Sequence, residues 1–243
     1  MRLALLQPVA APNLYDLAVM LQADRILLQD EVRWSRKGRV HRWLIRTPDG
    51  RDYLSIPIHT DDRRKPIRQV RIDQESNWLT PLLRSLRYNY RGSRYFDFYG
   101  PEVEADLHRV SELDYLLPAA LHLRERLFHY LDLDEELEQK ERLVSEVGRL
   151  PEDPDKLAFG MGADVLYQEH RSRHYQRQAE MRTDPVFEHP VYHQHFEGFE
   201  LWCSLYDLLF QCGPESFYVI DSLRAGSGGQ SPEENNRSEQ GGE

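Results

Sequence analysis

Cysteine is nearly absent: Cys203 and Cys212 are the only two in 243 residues. They lie nine positions apart on a stretch that reads as helix, so they point in different directions, and no disulfide framework holds this chain together. No stretch approaches the ~20 apolar residues of a membrane span. The opening MRLALLQPVAAP begins like a secretory leader, but its apolar run is short and Gln7-Pro8 interrupts it. The expectation is a soluble, cytoplasmic protein. Neither a GxGxxG turn nor a P-loop occurs, which removes both nucleotide fingerprints, and no HExxH or CxxC spacing marks a zinc site. Large apolar residues are missing from Ala225 to Glu243, an acidic Gly/Ser/Glu tail whose composition predicts disorder.

What is present is charge. Charged residues make up 30% of the chain and apolar ones 40%, with a net charge of −10. The distribution is uneven: Arg33 to Arg94 holds 16 Lys/Arg against 6 Asp/Glu, a local +10, which leaves −20 on the remainder. A basic segment inside an acidic protein is a footprint for an anionic small molecule, or a solvated face paired to the acidic half. Residues 1–224 are long enough for a single α/β domain with a substantial core.

The periodicities predict an N-terminal βαβ unit. Arg2–Leu6 is a buried strand, Leu14–Gln22 has apolar residues at helical spacing behind Asn13 as N-cap, and Arg25–Leu28 is a second buried strand. Ligands collect beyond the carboxyl ends of such strands, where this chain places Gln7 and Asp30-Glu31. Val40–Thr47 and Tyr53–Ile58 predict a hairpin around Pro48-Asp49-Gly50, and the alternation in Ile67–Ile72 predicts another strand. Amphipathic helices follow at Trp78–Tyr90, from Ser111 onward with a kink at Pro118, and at Glu135–Leu150. A flexible turn at Phe159–Ala163 precedes Asp164–Tyr167. The fold class is therefore α/β, a mixed sheet with a hairpin-containing middle.

The densest chemistry lies in Asp184–Pro214. His189, His193 and His195 interleave with Phe187, Tyr192 and Phe196, and Trp202, Tyr206, Asp207 and Phe210 follow on a helix ended by Gly213-Pro214. Three imidazoles can ligate zinc, but no accompanying spacing supports it, and no metal site is assigned. A single histidine near working pH suits a general base, and His193, between Tyr192 and Gln194, is the candidate. Asp30 can orient or deprotonate an amine. Arg36, Lys37 and Arg42, with Arg39 among them, can hold phosphate. Asp207, flanked by apolar residues, reads as a buried acid in need of a partner such as Arg42. Cys203 lacks the basic setting of a nucleophile. Arg84, Arg87 and Arg91 beside Tyr88 and Tyr90 invite nucleic acid, but the overall pI of about 5.5 argues against it.

Several of these stretches, in order, resemble the WbqC-like proteins of bacterial polysaccharide and O-antigen gene sets. They are Gln7-Pro8, Pro12, Asp16, Asp30-Glu31-Val32-Arg33-Trp34, Arg36-Lys37, Arg42, Thr47-Pro48-Asp49-Gly50 and Ile56-Pro57, then Trp78, Asn89-Tyr90, Tyr95-Phe96 and Glu141-Arg142-Leu143. The closing set is Pro190, Tyr192, Gln194, Ser204, Asp207-Leu208-Leu209-Phe210 and Gly213-Pro214. The chain departs from the pattern at His41 (Asn expected), Leu82 (His expected), Arg94 (Pro expected) and Gln211 (Asn expected). The resemblance implies a transferase that acylates the amine of a nucleotide-linked amino sugar, with Gln7, His41, Tyr192, Gln194 and Asp207 beside the substrate. A non-catalytic binding or scaffold protein of the same descent is the alternative. Neither the acyl donor nor any cofactor is identified by the sequence.

Overall fold

The computed structural model describes residues 1–148, 150–170 and 178–224. Its centre is a parallel sheet built from β1 (Arg2–Leu6), β2 (Arg25–Leu28), β5 (Glu141–Leu143) and β6 (Val165–Gln168), in the spatial order β5-β2-β1-β6. Between β1 and β2 runs α1 (Leu14–Gln22). Its start is locked reciprocally: Asn13 Oδ1 accepts from the Asp16 amide and Asp16 Oδ2 accepts from the Asn13 amide, each at 3.0 Å. Every residue of α1 is buried, which suits a helix enclosed on all sides.

Alternation along β1 divides the core in two. Ala4 and Leu6 face α1 and the larger cluster, while Leu3 and Leu5 face a smaller cluster with Leu157 and Ala158 of α7 (Pro154–Gly160). The chain leaves β1 toward β2 on one side and returns from β5 to β6 on the other. The boundary between β1 and β6 is thus a topological switch point, where loops diverge and a crevice opens.

A separate antiparallel hairpin, β3 (Arg42–Thr47) and β4 (Gly50–Ser55), turns at Pro48-Asp49, and Gly50 takes φ +123°. Against it pack α2 (Leu79–Tyr90) and the buried α8 (Leu205–Cys212), and α3 (Phe96–Val110) and α4 (Leu116–Tyr130) pack in turn on these helices. Two short helices, α5 (Asp134–Glu138) and α6 (Val144–Val147), flank β5, and α9 (Ser216–Ser222) closes the described chain. Among the described residues no helix is long and apolar enough to cross a membrane.

Several local expectations are corrected. Ile67–Ile72 is not a strand: Ile67–Gln69 form a 3₁₀ turn, and among the described residues the stretch pairs only through the isolated bridges Ile58↔Ile72 and Arg71↔Tyr115. Ser111 ends α3 rather than opening a helix. Pro118 lies in the first turn of α4, where its missing N–H is no loss, so it produces no mid-helix kink. Glu135–Leu150 is not one helix, because Glu141–Leu143 extend to pair with Ile26–Leu28 at the sheet edge. The hairpin strands are shorter at their outer ends than predicted, and Phe159 and Gly160 belong to the end of α7 rather than to a turn. The tail 225–243 lies outside the described residues.

Gly213 caps α8 at φ +50°, and a Cβ placed there would stand 2.5 Å from the Tyr95 ring. Gly213→Ala is expected to lose more than the ~1–2 kcal/mol of left-handed backbone strain alone, measurable by urea unfolding. Wild-type stability in this variant would show that neither constraint operates.

Candidate functional site

Residues 184–204 carry no regular element, yet they are tightly held. The anchor is Asp207 on α8, fully buried. Its Oδ1 accepts from the Tyr90 hydroxyl at 2.9 Å, and its Oδ2 accepts from the Tyr192 hydroxyl at 2.7 Å and Gln194 Nε2 at 2.8 Å. Burial pushes the carboxyl above its usual range while these donors and Gln211 pull it back. The two phenols are pushed far up by the same burial and remain donors. The Tyr90 oxygen in turn accepts from the Arg46 amide at 3.0 Å, which extends the network into β3. Gln194 also closes its own loop, with Nε2 donating to Glu200 O and Oε1 accepting from Glu200 N. The expected pairing of Asp207 with Arg42 is therefore replaced by hydroxyl and amide donors. Because Tyr192 and Gln194 both turn inward, His193 between them is exposed.

The three histidines separate accordingly. His189 Nε2 accepts from the Trp202 amide at 3.3 Å, and His195 lies 3.4 Å from Ser93 Oγ. Among the described residues no group of three or more His, Cys, Asp and Glu is placed to hold a metal ion. Trp202 takes φ +71°, a left-handed backbone rare for a bulky side chain, and its ring stacks on His170 at 4.7 Å. Burial raises the thiols, Cys212 to about 11 and Cys203 further, so neither is a ready nucleophile.

Trp202 and His170 form one wall of a cavity of about 420 Å³ at the β1/β6 switch point. Asn13, Arg39, Arg42 and Ser204 supply its polar lining. Two lining groups, Ser204 Oγ and Trp43 Nε1, are buried without a hydrogen-bond partner among the described residues. Arg39 is held bidentate by buried Asp16 at 2.6 and 2.8 Å. Beside them lies Glu169, the residue that follows β6, 1% exposed. Its Oε1 accepts from the Gln7 amide at 2.8 Å, whereas Oε2 has no partner among the described residues. Desolvation, with Asp16 adding to it and Arg39 opposing, raises this carboxyl to about 7.

The residues singled out from sequence fall in three places. Gln7, buried after β1, joins the cavity cluster through Glu169. Asp30, buried after β2, accepts from the Ser145 amide at 3.1 Å near the β5 edge and does not line the cavity. Arg42 lines the cavity, but its Nε and Nη2 donate to the Gly38 and Lys37 carbonyls, so much of its guanidinium braces its own loop. Arg36 and Lys37 are exposed on that loop. His41 is buried against Trp34, ring centroids 4.9 Å apart, and burial together with Arg42 lowers it to about 4, so its imidazole is neutral. Asp30 and His193 are not brought together. Sequence reasoning missed the clamp of Asp16 on Arg39. It also missed Glu169, although Glu169 follows a strand in the same manner as Gln7 and Asp30.

Fold and site together define a parallel α/β protein with a cationic, aromatic-walled crevice at its switch point. Residues 7–219 match the WbqC-like protein family, and the chain belongs to that family. No curated protein and no solved structure matched it.

Two outcomes are expected. Asp207→Ala leaves the Tyr90 and Tyr192 hydroxyls buried without an acceptor and should cost about 3 kcal/mol or more in urea unfolding; a loss below about 1 kcal/mol would contradict the network. For Glu169, the folded carboxyl binds its proton up to about 7 while the unfolded one releases it near its ordinary 4.5. Stability is therefore greatest below about 4.5 and declines as pH rises through about 7, by roughly 3 kcal/mol from this group. Glu169→Gln should flatten that decline in Tm measured against pH.

Proposed function

We propose that this chain is a transferase in surface polysaccharide biosynthesis that passes an acyl group directly to the amine of a nucleotide-linked amino sugar. The observation that carries the reading is the cavity at the β1/β6 switch point, where Trp202 faces guanidinium and hydroxyl groups. Sugars bind against aromatic faces with hydrogen bonds to their edges, and the guanidiniums of Arg39 and Arg42 favour an anionic ligand. Family membership supports the same substrate class.

In the reaction, the sugar amine attacks the acyl carbonyl carbon, an amide bond forms, and the donor's leaving group departs with the electron pair of the broken acyl bond. The amine must shed a proton. Glu169 is the acceptor: it is raised close to working pH, its Oε2 has no hydrogen-bond partner among the described residues, and it lies one residue before His170 of the cavity wall. Activation of the amine is thus assigned to Glu169, beside the Asp16–Arg39 pair, rather than to the exposed His193 or to Asp30 near the β5 edge. Arg39, fixed by Asp16, sets the charge beside it.

The test incubates the chain with UDP- and dTDP-linked amino sugars and acyl-CoA or aminoacyl donors, and detects the amide by mass spectrometry. Wild-type kcat should rise with pH through about 7 as Glu169 ionises. Glu169→Gln should lower kcat by about 100-fold or more with little change in KM. Absence of amide product with every sugar, or full kcat in Glu169→Gln, would overturn the proposal or its base respectively.

A further inference from the structure

A second recess opens on the other side of the hairpin. It has a volume of about 570 Å³ and shares a partition with the first cavity: the Arg42 guanidinium carbon lies 4.2 Å over the ring of Tyr53, and Tyr53 lines this recess. Its walls differ in kind. Trp34, Tyr53 and Trp78 supply aromatic surface, and the neutral His41 sits between Trp34 and the strand. Trp34 Nε1 and His41 Nδ1, both on residues 8% exposed, have no hydrogen-bond partner among the described residues. At the rim stand Arg36 and Arg63, both exposed, and neither makes a hydrogen bond or ion pair among the described residues. Among the described residues no carboxylate lines the recess.

Several other guanidiniums of the basic segment are engaged by acids. Arg39 holds Asp16, Arg71 holds Asp62, and Arg87 holds Glu104. Two arginines left open beside three aromatic rings, with unpartnered ring nitrogens behind them, fit a planar base that carries phosphate. Flat rings stack against aromatic side chains whatever their base edge, and guanidinium forks match phosphate oxygens. We infer that this recess binds the nucleotide moiety of the substrate, the base between Tyr53 and Trp34 and the diphosphate on Arg36 and Arg63. The inference rests on the transferase reading in so far as the sugar of the same molecule enters the neighbouring cavity past Arg42.

Isothermal titration of the full chain with UDP, dTDP, ADP and GDP tests it. At least one should bind with Kd below about 1 mM, and the Arg36→Ala/Arg63→Ala variant should weaken it at least about tenfold. Tyr53→Ala should weaken it by a similar factor. The parent nucleoside should bind the double arginine variant and the wild type alike, which separates lost phosphate contacts from lost structure. All three side chains are exposed, so thermal melts should be unchanged. Failure of all four nucleotides to bind, or wild-type affinity in the variants, would overturn the inference. Nucleotide binding at the recess without amide formation would sink the transferase reading and leave this one standing. Amide formation with nucleotide affinity indifferent to the recess variants would do the reverse.

Discussion

Asp207 sits inside an apolar helix, where an unpaired charge would not be tolerated, and the rest of the fold is arranged to satisfy it. Three side chains drawn from two distant parts of the chain donate to its carboxylate. That requirement fixes the irregular segment 184–204 in one conformation, since Tyr192 and Gln194 reach the carboxylate only if the backbone between them alternates. It also ties α2 to α8 through Tyr90. A hydrophobic contact would tolerate small slips; three hydrogen bonds to one carboxylate do not.

The cavity inherits its geometry from this anchor. With Gln194 held, Glu200 and then Trp202 and Ser204 are placed in sequence, and Ser204 donates its amide to the Leu44 carbonyl of the hairpin at 2.9 Å. Trp202 keeps its left-handed backbone because its amide is held by His189 and its ring by His170. On the opposite wall, Asp16 is both the capping partner of Asn13 and the clamp on Arg39. A single side chain thus begins a helix and aims a cation, which shows how little of the polar lining is independent of the scaffold.

Much of the N-terminal half was legible because its signals are local. Arg2–Leu6, Leu14–Gln22 and Arg25–Leu28 form as their periodicities dictate, and Asn13 caps as its type predicts. Legibility failed where long-range pairing overrides local pattern. Glu141–Leu143 lies within a helical repeat, and only β2 makes it a strand. Asp207 was recognisable as a buried acid from its apolar neighbours. Its partners were not, because Tyr90 is 117 residues away and nothing in the sequence marks the pairing. Glu169 is hidden in the sequence for a related reason: the end of β6 is defined by its pairing with β1 and not by any turn signal of its own.

The order of strands in the sheet also governs when a site can exist. β1 and β2 can meet as soon as residues 1–28 are synthesised, but the other side of the crevice is supplied by β6 and by the segment around Trp202 and Ser204. Closing it joins Gln7 to Glu169 across 162 residues, among the most distant contacts in the chain, and such contacts form only after the entropy of a long loop has been overcome. A nascent chain that ends between β6 and residue 202 therefore contains all four strands of the sheet yet lacks the crevice wall that Trp202 and Ser204 supply. A ligand that requires the finished crevice acts as a brace on its last-formed closure.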